Sequence, residues 1–373
     1  MYLCNIHNKS TITEISMPSS ITPAINHRQP RQSNMELLRI IAMVLVVLLH
    51  SNFKSLGAIE FHSQVVANPL SSFIRLELDV FSILAVNLFV LISGYFGIRP
   101  KLKSVLNIVF QLIFWKTILA IISYTAEGFT LSEVAKNLGN GILFGGWFIP
   151  CYFLLMLIAP ALNSYIEASS KKDIFKFLLI FYGVQTTLGW LIPLWPYIDG
   201  YSFVSFIGLY MLGRYINKFM NDQQRDKITF KRGLAGYALI SALLGVGGFL
   251  FYYFVDMDYL CHLVDRAINN YTSPFNILCA ALLIIGFSNL KLYSKVVNRL
   301  AQSAFAVYII HLDPAVFDYI KATSIYLYDN FNIWVFAGGA ILLAISVYLV
   351  CALGDTVRIW AWNKLCSIIP VLR

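Results

Sequence analysis

Three polar side chains punctuate the first long apolar run: Glu36, Arg39 and His50, in Glu36-Leu-Leu-Arg39-Ile-Ile-Ala-Met-Val-Leu-Val-Val-Leu-Leu-His50. His50 follows Arg39 by eleven positions. On an α-helix this spacing sets the two about 20° apart around the axis and about 16 Å apart along it, so they share one face at different depths. Glu36, three residues before Arg39, is on the same side. Imidazole has the ordinary side-chain pKa nearest neutrality, which makes His50 a candidate proton acceptor, and the planar guanidinium of Arg39 suits phosphate. Titratable groups inside a span are costly and mark function. A plainer reading stands beside this one: Arg39 snorkels to the inner headgroups and His50 ends the helix at the outer interface. Lys116, a further cation within an apolar run, either lines the same cavity or reaches toward the outer surface.

These residues belong to a chain that is mostly apolar. Of its 373 residues 58% are hydrophobic and 13% charged, against about 25% charged in an ordinary soluble domain, and the mean hydropathy is +0.69. That excludes a soluble enzyme and predicts an all-α, polytopic integral-membrane bundle. Apolar runs long enough to cross the hydrocarbon core fall at 35–53, 80–98, 104–124, 143–163, 174–193, 202–220, 234–255, 274–290, 301–320 and 332–353, about ten spans. With a cytoplasmic N-terminus, twenty-one Lys and Arg residues lie on the inner side. Five, Lys54, Arg75, Lys136, Arg266 and Lys321, lie outside, so the positive-inside rule predicts both termini in the cytoplasm.

The integral domain is expected over 34–353, between a polar, disordered tail at 1–33 and a short cytoplasmic tail at 354–373. Residues 1–33 have no apolar h-region, so the first span is expected to direct insertion. The connection 54–79 carries an amphipathic stretch around Phe73, Ile74, Leu76 and Leu78, read as an interfacial helix or a surface-lying connector. The net charge of +9 comes from short clusters between apolar runs, so the expected partner is the lipid bilayer and not nucleic acid. Six cysteines (Cys4, Cys151, Cys261, Cys279, Cys351, Cys366) form no CxxC pair, and there is no metal motif and no glycine-rich phosphate loop.

An acidic residue three before an arginine, then ten residues and a histidine, resembles the opening signature of the acyltransferase 3 family of integral-membrane acyltransferases. Asn87-Leu-Phe-Val-Leu-Ile-Ser93-Gly94-Tyr95-Phe96 is similar to that family's second-span motif. Trp147-Phe-Ile-Pro150 with Tyr152 and Pro160-Ala-Leu-Asn163 is similar to its fourth-span tryptophan motif. Gly208-Leu-Tyr-Met-Leu-Gly213-Arg214-Tyr215 resembles its glycine-arginine span end, and Tyr308-Ile-Ile-His311 with Pro314 its late tyrosine-histidine helix. The order and spacing together, over about 34–353, carry the resemblance. One departure is that Arg99-Pro-Lys101-Leu-Lys103 offers one arginine and two lysines where the family often has two arginines.

The resemblance implies a membrane O-acyltransferase, multi-pass in the inner or plasma membrane. It would move an acyl group, acetyl first, from cytoplasmic acyl-CoA to a hydroxyl of a surface or capsular polysaccharide or its lipid-linked precursor. Acetyl-CoA is then the donor and a sugar or glycolipid the acceptor, with no metal. His50 and Glu36 are the expected catalytic residues, His50 as a base in preference to an acyl-imidazole. Arg39, Arg99, Lys101, Lys103 and Arg214 are expected to meet the donor's phosphates. Ser93, Trp147, Tyr308 and His311 are expected at the substrate. Ser93-Gly94 either admits the pantetheine arm or packs a helix, Trp147 either shapes an acyl slot or anchors at the interface, and His311 bonds either the acceptor or a neighbouring helix. Asp313, two positions on, is expected to point elsewhere. A glycolipid transporter or flippase, with Arg39 and His50 along its path, is the alternative.

Overall fold

The structure, a computed structural model, describes residues 31–370 apart from 127, 129, 134, 137, 138, 140–145, 193 and 196. The expected tail as far as residue 30, and the first residues of the expected fourth span, lie outside the described residues. In hydrocarbon every backbone N–H and C=O must be satisfied within the protein, which helices do segment by segment. Among the described residues there is accordingly no strand.

The helices are α1 (Ser33–Leu49), α2 (His62–Ala67), α3 (Pro69–Ser82), α4 (Ala85–Phe96), α5 (Leu102–Ala126), α6 (Phe148–Ala168), α7 (Lys171–Gln185), α8 (Phe203–Phe219), α9 (Asp222–Asp226), α10 (Phe230–Phe254), α11 (Asp258–Asn269), α12 (Pro274–Ser288), α13 (Lys295–Leu300), α14 (Ala304–His311), α15 (Pro314–Asn330) and α16 (Ile333–Ile368). Among the described residues, eight helical stretches are long and apolar enough to cross a membrane, nine if the bent pair Lys295–His311 and Pro314–Asn330 counts as one span. Helix α8, about 26 Å long at 1.5 Å per residue, occupies the expected sixth span. Exposed Leu157, Leu243, Leu342 and Val350 give α6, α10 and α16 apolar outer faces.

Three expected boundaries are corrected. Residues 69–79 are neither an interfacial helix nor a surface connector: α3 leads into α4 as one apolar stretch, Pro69–Phe96. The charges that lower its hydropathy are dealt with internally, Arg75 and Asp79 by hydrogen bonds to Asn52, while Leu76 and Val80 are buried. The ninth span is not one helix, because it turns through 85° between His311 and Pro314. Pro314 supplies no backbone donor and occupies the first turn of α15, and Asp313 caps that helix by accepting from Ala315 N. The tenth span does not stop at 353, since α16 continues to Ile368. Asp355 and Arg358, one turn apart, pair with each other in the interior, and Trp115 Nε1 donates to Asp355 Oδ1 at 2.8 Å.

Glycine lets two helices meet backbone to backbone. A side chain at Gly94 of α4 would overlap the Tyr210 carbonyl of α8, and one at Gly213 would overlap the Leu91 carbonyl. At this crossing Gly94 packs a helix, one of the two roles expected of Ser93-Gly94. At the end of the bundle where α1 begins, Asn34 Nδ2 donates to the Phe287 carbonyl at the end of α12, and Tyr348 of α16 donates to the Leu300 carbonyl.

Candidate active site

Helix α1 changes at His50 into a π-helical turn, His50–Lys54. Such turns recur at functional sites because the wider ring redirects a side chain. The turn is held from both sides. Ser55 donates to the His50 carbonyl at 2.8 Å, and Ser51 to Val47 at 2.8 Å. Asn52, fully buried, donates to the Arg75 carbonyl and to Asp79 Oδ1, each at 2.8 Å, and accepts from Arg75 Nε at 3.1 Å. Arg75 also donates to the Gly57 carbonyl and lies over the Tyr328 ring. Helix α3 therefore clamps the turn that presents His50.

His50 Nδ1 lies 3.0 Å from His311 Nε2, with the ring planes 19° apart. His311 is fully buried, and its Nδ1 lies 2.7 Å from the Val307 carbonyl oxygen. A carbonyl only accepts, so His311 Nδ1 carries a proton, and in the neutral ring Nε2 carries a lone pair. That lone pair accepts from His50 Nδ1–H, which leaves His50 Nε2 without a proton. The backbone at Val307 thus assigns the tautomer of His50 two hydrogen bonds away. His50 itself is half-buried and keeps some access. Phe317 of α15 presents its ring edge-on to His50, and Lys54 Nζ stands 4.3 Å above that ring.

The histidines continue into an aromatic wall. Tyr308 meets His311 edge to face, the ring planes 69° apart, and lies against Phe148, and Phe148 stacks on Tyr152 and abuts Trp147. Tyr152 donates to Ser93 Oγ at 3.1 Å, since the serine's own proton goes to the Phe89 carbonyl. Trp147 is packed in turn against Tyr201, Phe206 and Tyr271. Gly146, with φ of +77°, brings the chain within 3.1 Å of the Tyr308 hydroxyl, counted from where a Cβ would stand. Ser93, Trp147, Tyr308 and His311 are thus brought into one continuous set with His50.

Other expected site residues lie elsewhere. Glu36 is not beside His50: fourteen helical positions separate them, about 21 Å, and Glu36 forms an ion pair with Arg39. Arg214 is not an open donor contact. Its guanidinium pairs with Glu167 at 2.9 Å, a carboxylate shared with Lys218, and packs against Gly97. Arg99 and Lys101 are exposed, and Lys103 is partly so. Lys116 has a partner close to the histidines in sequence. It pairs at 2.7 Å with Asp313, the residue expected to point elsewhere. The Asn52–Arg75–Asp79 clamp was not foreseen either, although Asn52 stands two residues after His50 and Arg75 and Asp79 are one helical turn apart. Among the described residues no three or more His, Cys, Asp or Glu side chains gather as a metal site.

Residues 32–352 match the family model described as an acyltransferase domain, acyltransferase 3. The chain belongs to the acyltransferase 3 family. It is a multi-pass membrane acyltransferase, and the His50–His311 pair lies within the matched region. No significant match to a curated protein or to a solved structure was found.

Proposed function

We propose that this acyltransferase moves an acyl group, with acetyl favoured by the family resemblance, from cytoplasmic acyl-CoA to a sugar hydroxyl of a surface or capsular polysaccharide or its lipid-linked precursor. Both termini are then cytoplasmic, in the inner or plasma membrane. The supporting observation is the hydrogen-bond relay that leaves His50 Nε2 with a free lone pair. His50 Nε2 accepts the acceptor's hydroxyl proton as the hydroxyl oxygen attacks the thioester carbonyl, then gives that proton to the departing thiolate. Throughout, His50 Nδ1–H donates to His311, which orients the ring and supports the transient imidazolium in the way the third member of a triad does.

Arg39, with Glu36 orienting it, and Arg99, Lys101 and Lys103 meet the donor's phosphates. The long pantetheine arm lets those contacts stand at a different depth from His50. Ser93, Tyr152, Trp147 and Tyr308 shape the space beside the histidines, and excluding water there protects the thioester. The test is to supply labelled acetyl-CoA to membranes holding the protein. Release of free CoA with alkali-labile label in polysaccharide is expected, whereas a transporter or flippase gives neither.

A further inference from the structure

A cavity of about 420 Å³ opens between the α13 turn and the C-terminal part of α16. Lys295, Asn298, Arg299 and Gln302 line one side, and Thr356 and Ile359 the other. The first four recur at i, i+3, i+4 and i+7, one face of a helical stretch that runs through Leu300 into the 3₁₀ turn Ala301–Ser303. The second two are one turn apart on the part of α16 that extends past residue 353. Tyr348, donating to the Leu300 carbonyl at 3.0 Å, holds the two walls together.

Among the described residues the charge of this cavity is uncompensated. Among the described residues neither Lys295 nor Arg299 has a carboxylate or a side-chain hydrogen-bond partner, and no acidic residue lines the space. The carboxylate next in sequence to Thr356, Asp355, is fully buried and engaged by Arg358 and Trp115. Thr356 donates its hydroxyl proton to the Leu353 carbonyl, so that wall offers a methyl group and Ile359. One side therefore presents an ammonium, a guanidinium and the Gln302 amide, and the other is apolar. Two cations one helical turn apart, without acid, fit a phosphate ester, the guanidinium taking two oxygens and the ammonium a third. Val296 and Trp360, neighbours in sequence of Lys295 and Ile359, are both exposed.

We propose that this cavity is a phosphate-ester site, separate from the His50–His311 pair. Its ligand is either a phosphate ester in solution or the phosphate of an anionic lipid headgroup. Binding is measured without turnover, so the outcome does not depend on the acyl-transfer reading. The full chain is purified into nanodiscs of phosphatidylcholine. One arm adds adenosine 3′,5′-bisphosphate and measures its dissociation constant calorimetrically. The other includes phosphatidic acid and counts retained lipid by native mass spectrometry.

At least one probe is expected to bind the wild type, more weakly at high salt, and to lose about tenfold or more in affinity in Lys295→Gln/Arg299→Gln. Gln302→Glu, which leaves both cations in place, is expected to weaken the same probe. Lys172→Gln/Lys176→Gln removes equal charge from an exposed part of α7 and is expected to leave binding unchanged. Bisphosphate binding that Lys295→Gln/Arg299→Gln loses and Arg99→Gln keeps identifies a soluble ester at this cavity, and phosphatidic acid binding alone a headgroup. The proposal is overturned if neither probe binds, if Lys295→Gln/Arg299→Gln binds as tightly as the wild type, or if the α7 variant loses as much affinity as the cavity variant.

Discussion

Lys116 Nζ and Asp313 Oδ2 meet at 2.7 Å inside the bundle, joining the middle of α5 to the bend between α14 and α15. The contact fixes the element that carries His311. It also places two charges where each depends on the other.

Removing one partner should therefore cost far more than removing both. Lys116→Met leaves the Asp313 carboxylate buried without its cation, a change worth about 3–5 kcal/mol. Lys116→Met/Asp313→Asn should recover much of that loss, although the substituted amide caps α15 with an uncharged oxygen. Unfolding in detergent, followed by tryptophan fluorescence, reads both. Equal stability of the single and double variants would show that the pair is not coupled.

His50→Ala and His50→Gln should both abolish transfer while the protein inserts and folds normally, because neither can take the hydroxyl proton. His311→Leu should lower turnover by about a hundredfold or more, since His50 loses the acceptor that sets its tautomer. His311→Gln keeps an acceptor oxygen and should retain more activity than the leucine variant. Single-turnover rates with labelled acetyl-CoA make the comparison, and a leucine variant as active as the glutamine one would remove the tautomer role.

The α4–α8 crossing should be intolerant of bulk. Gly94→Val or Gly213→Val forces two backbones apart and should cost about 1–3 kcal/mol or more, seen as lost monodispersity after extraction. Ser93→Ala, beside it, removes only the acceptor of the Tyr152 hydroxyl and should leave the fold intact.

Arg99→Gln should mainly raise the Michaelis constant for acyl-CoA, because exposed phosphate contacts are made equally in the ground and transition states. Arg39→Gln should lower turnover as well, since it shares the His50 helix and small errors in placement are costly in rate. Arg39→Lys should recover only part, an ammonium lacking the planar two-point contact. A pure Michaelis-constant effect at Arg39 would count it as simple donor binding.

The first helix was legible because its information is local: one apolar run, with Glu36 one turn before Arg39, sets both the helix and that ion pair. The second span's true start was not, because Arg75, Glu77 and Asp79 lower the hydropathy of 69–79. What makes Arg75 and Asp79 tolerable in the interior is Asn52, whose bonds to them form only in the folded bundle. Lys116 and Asp313 are 197 positions apart, and no periodicity in either run points to the other. At Gly94 the residue type admitted packing, and only the position of the Tyr210 carbonyl shows it.

His50 and His311 are 261 positions apart in the chain. At about 5–20 residues per second of synthesis, the first histidine is in place for roughly 13–52 s before its partner is made. Throughout that interval nothing assigns its tautomer, and the space beside it lacks α14. Competence is thus acquired near the end of biogenesis, so a chain interrupted after α12 inserts most of its helices and remains inert. In a pulse-chase, acyl-transfer activity should consequently lag behind membrane integration and report completed assembly.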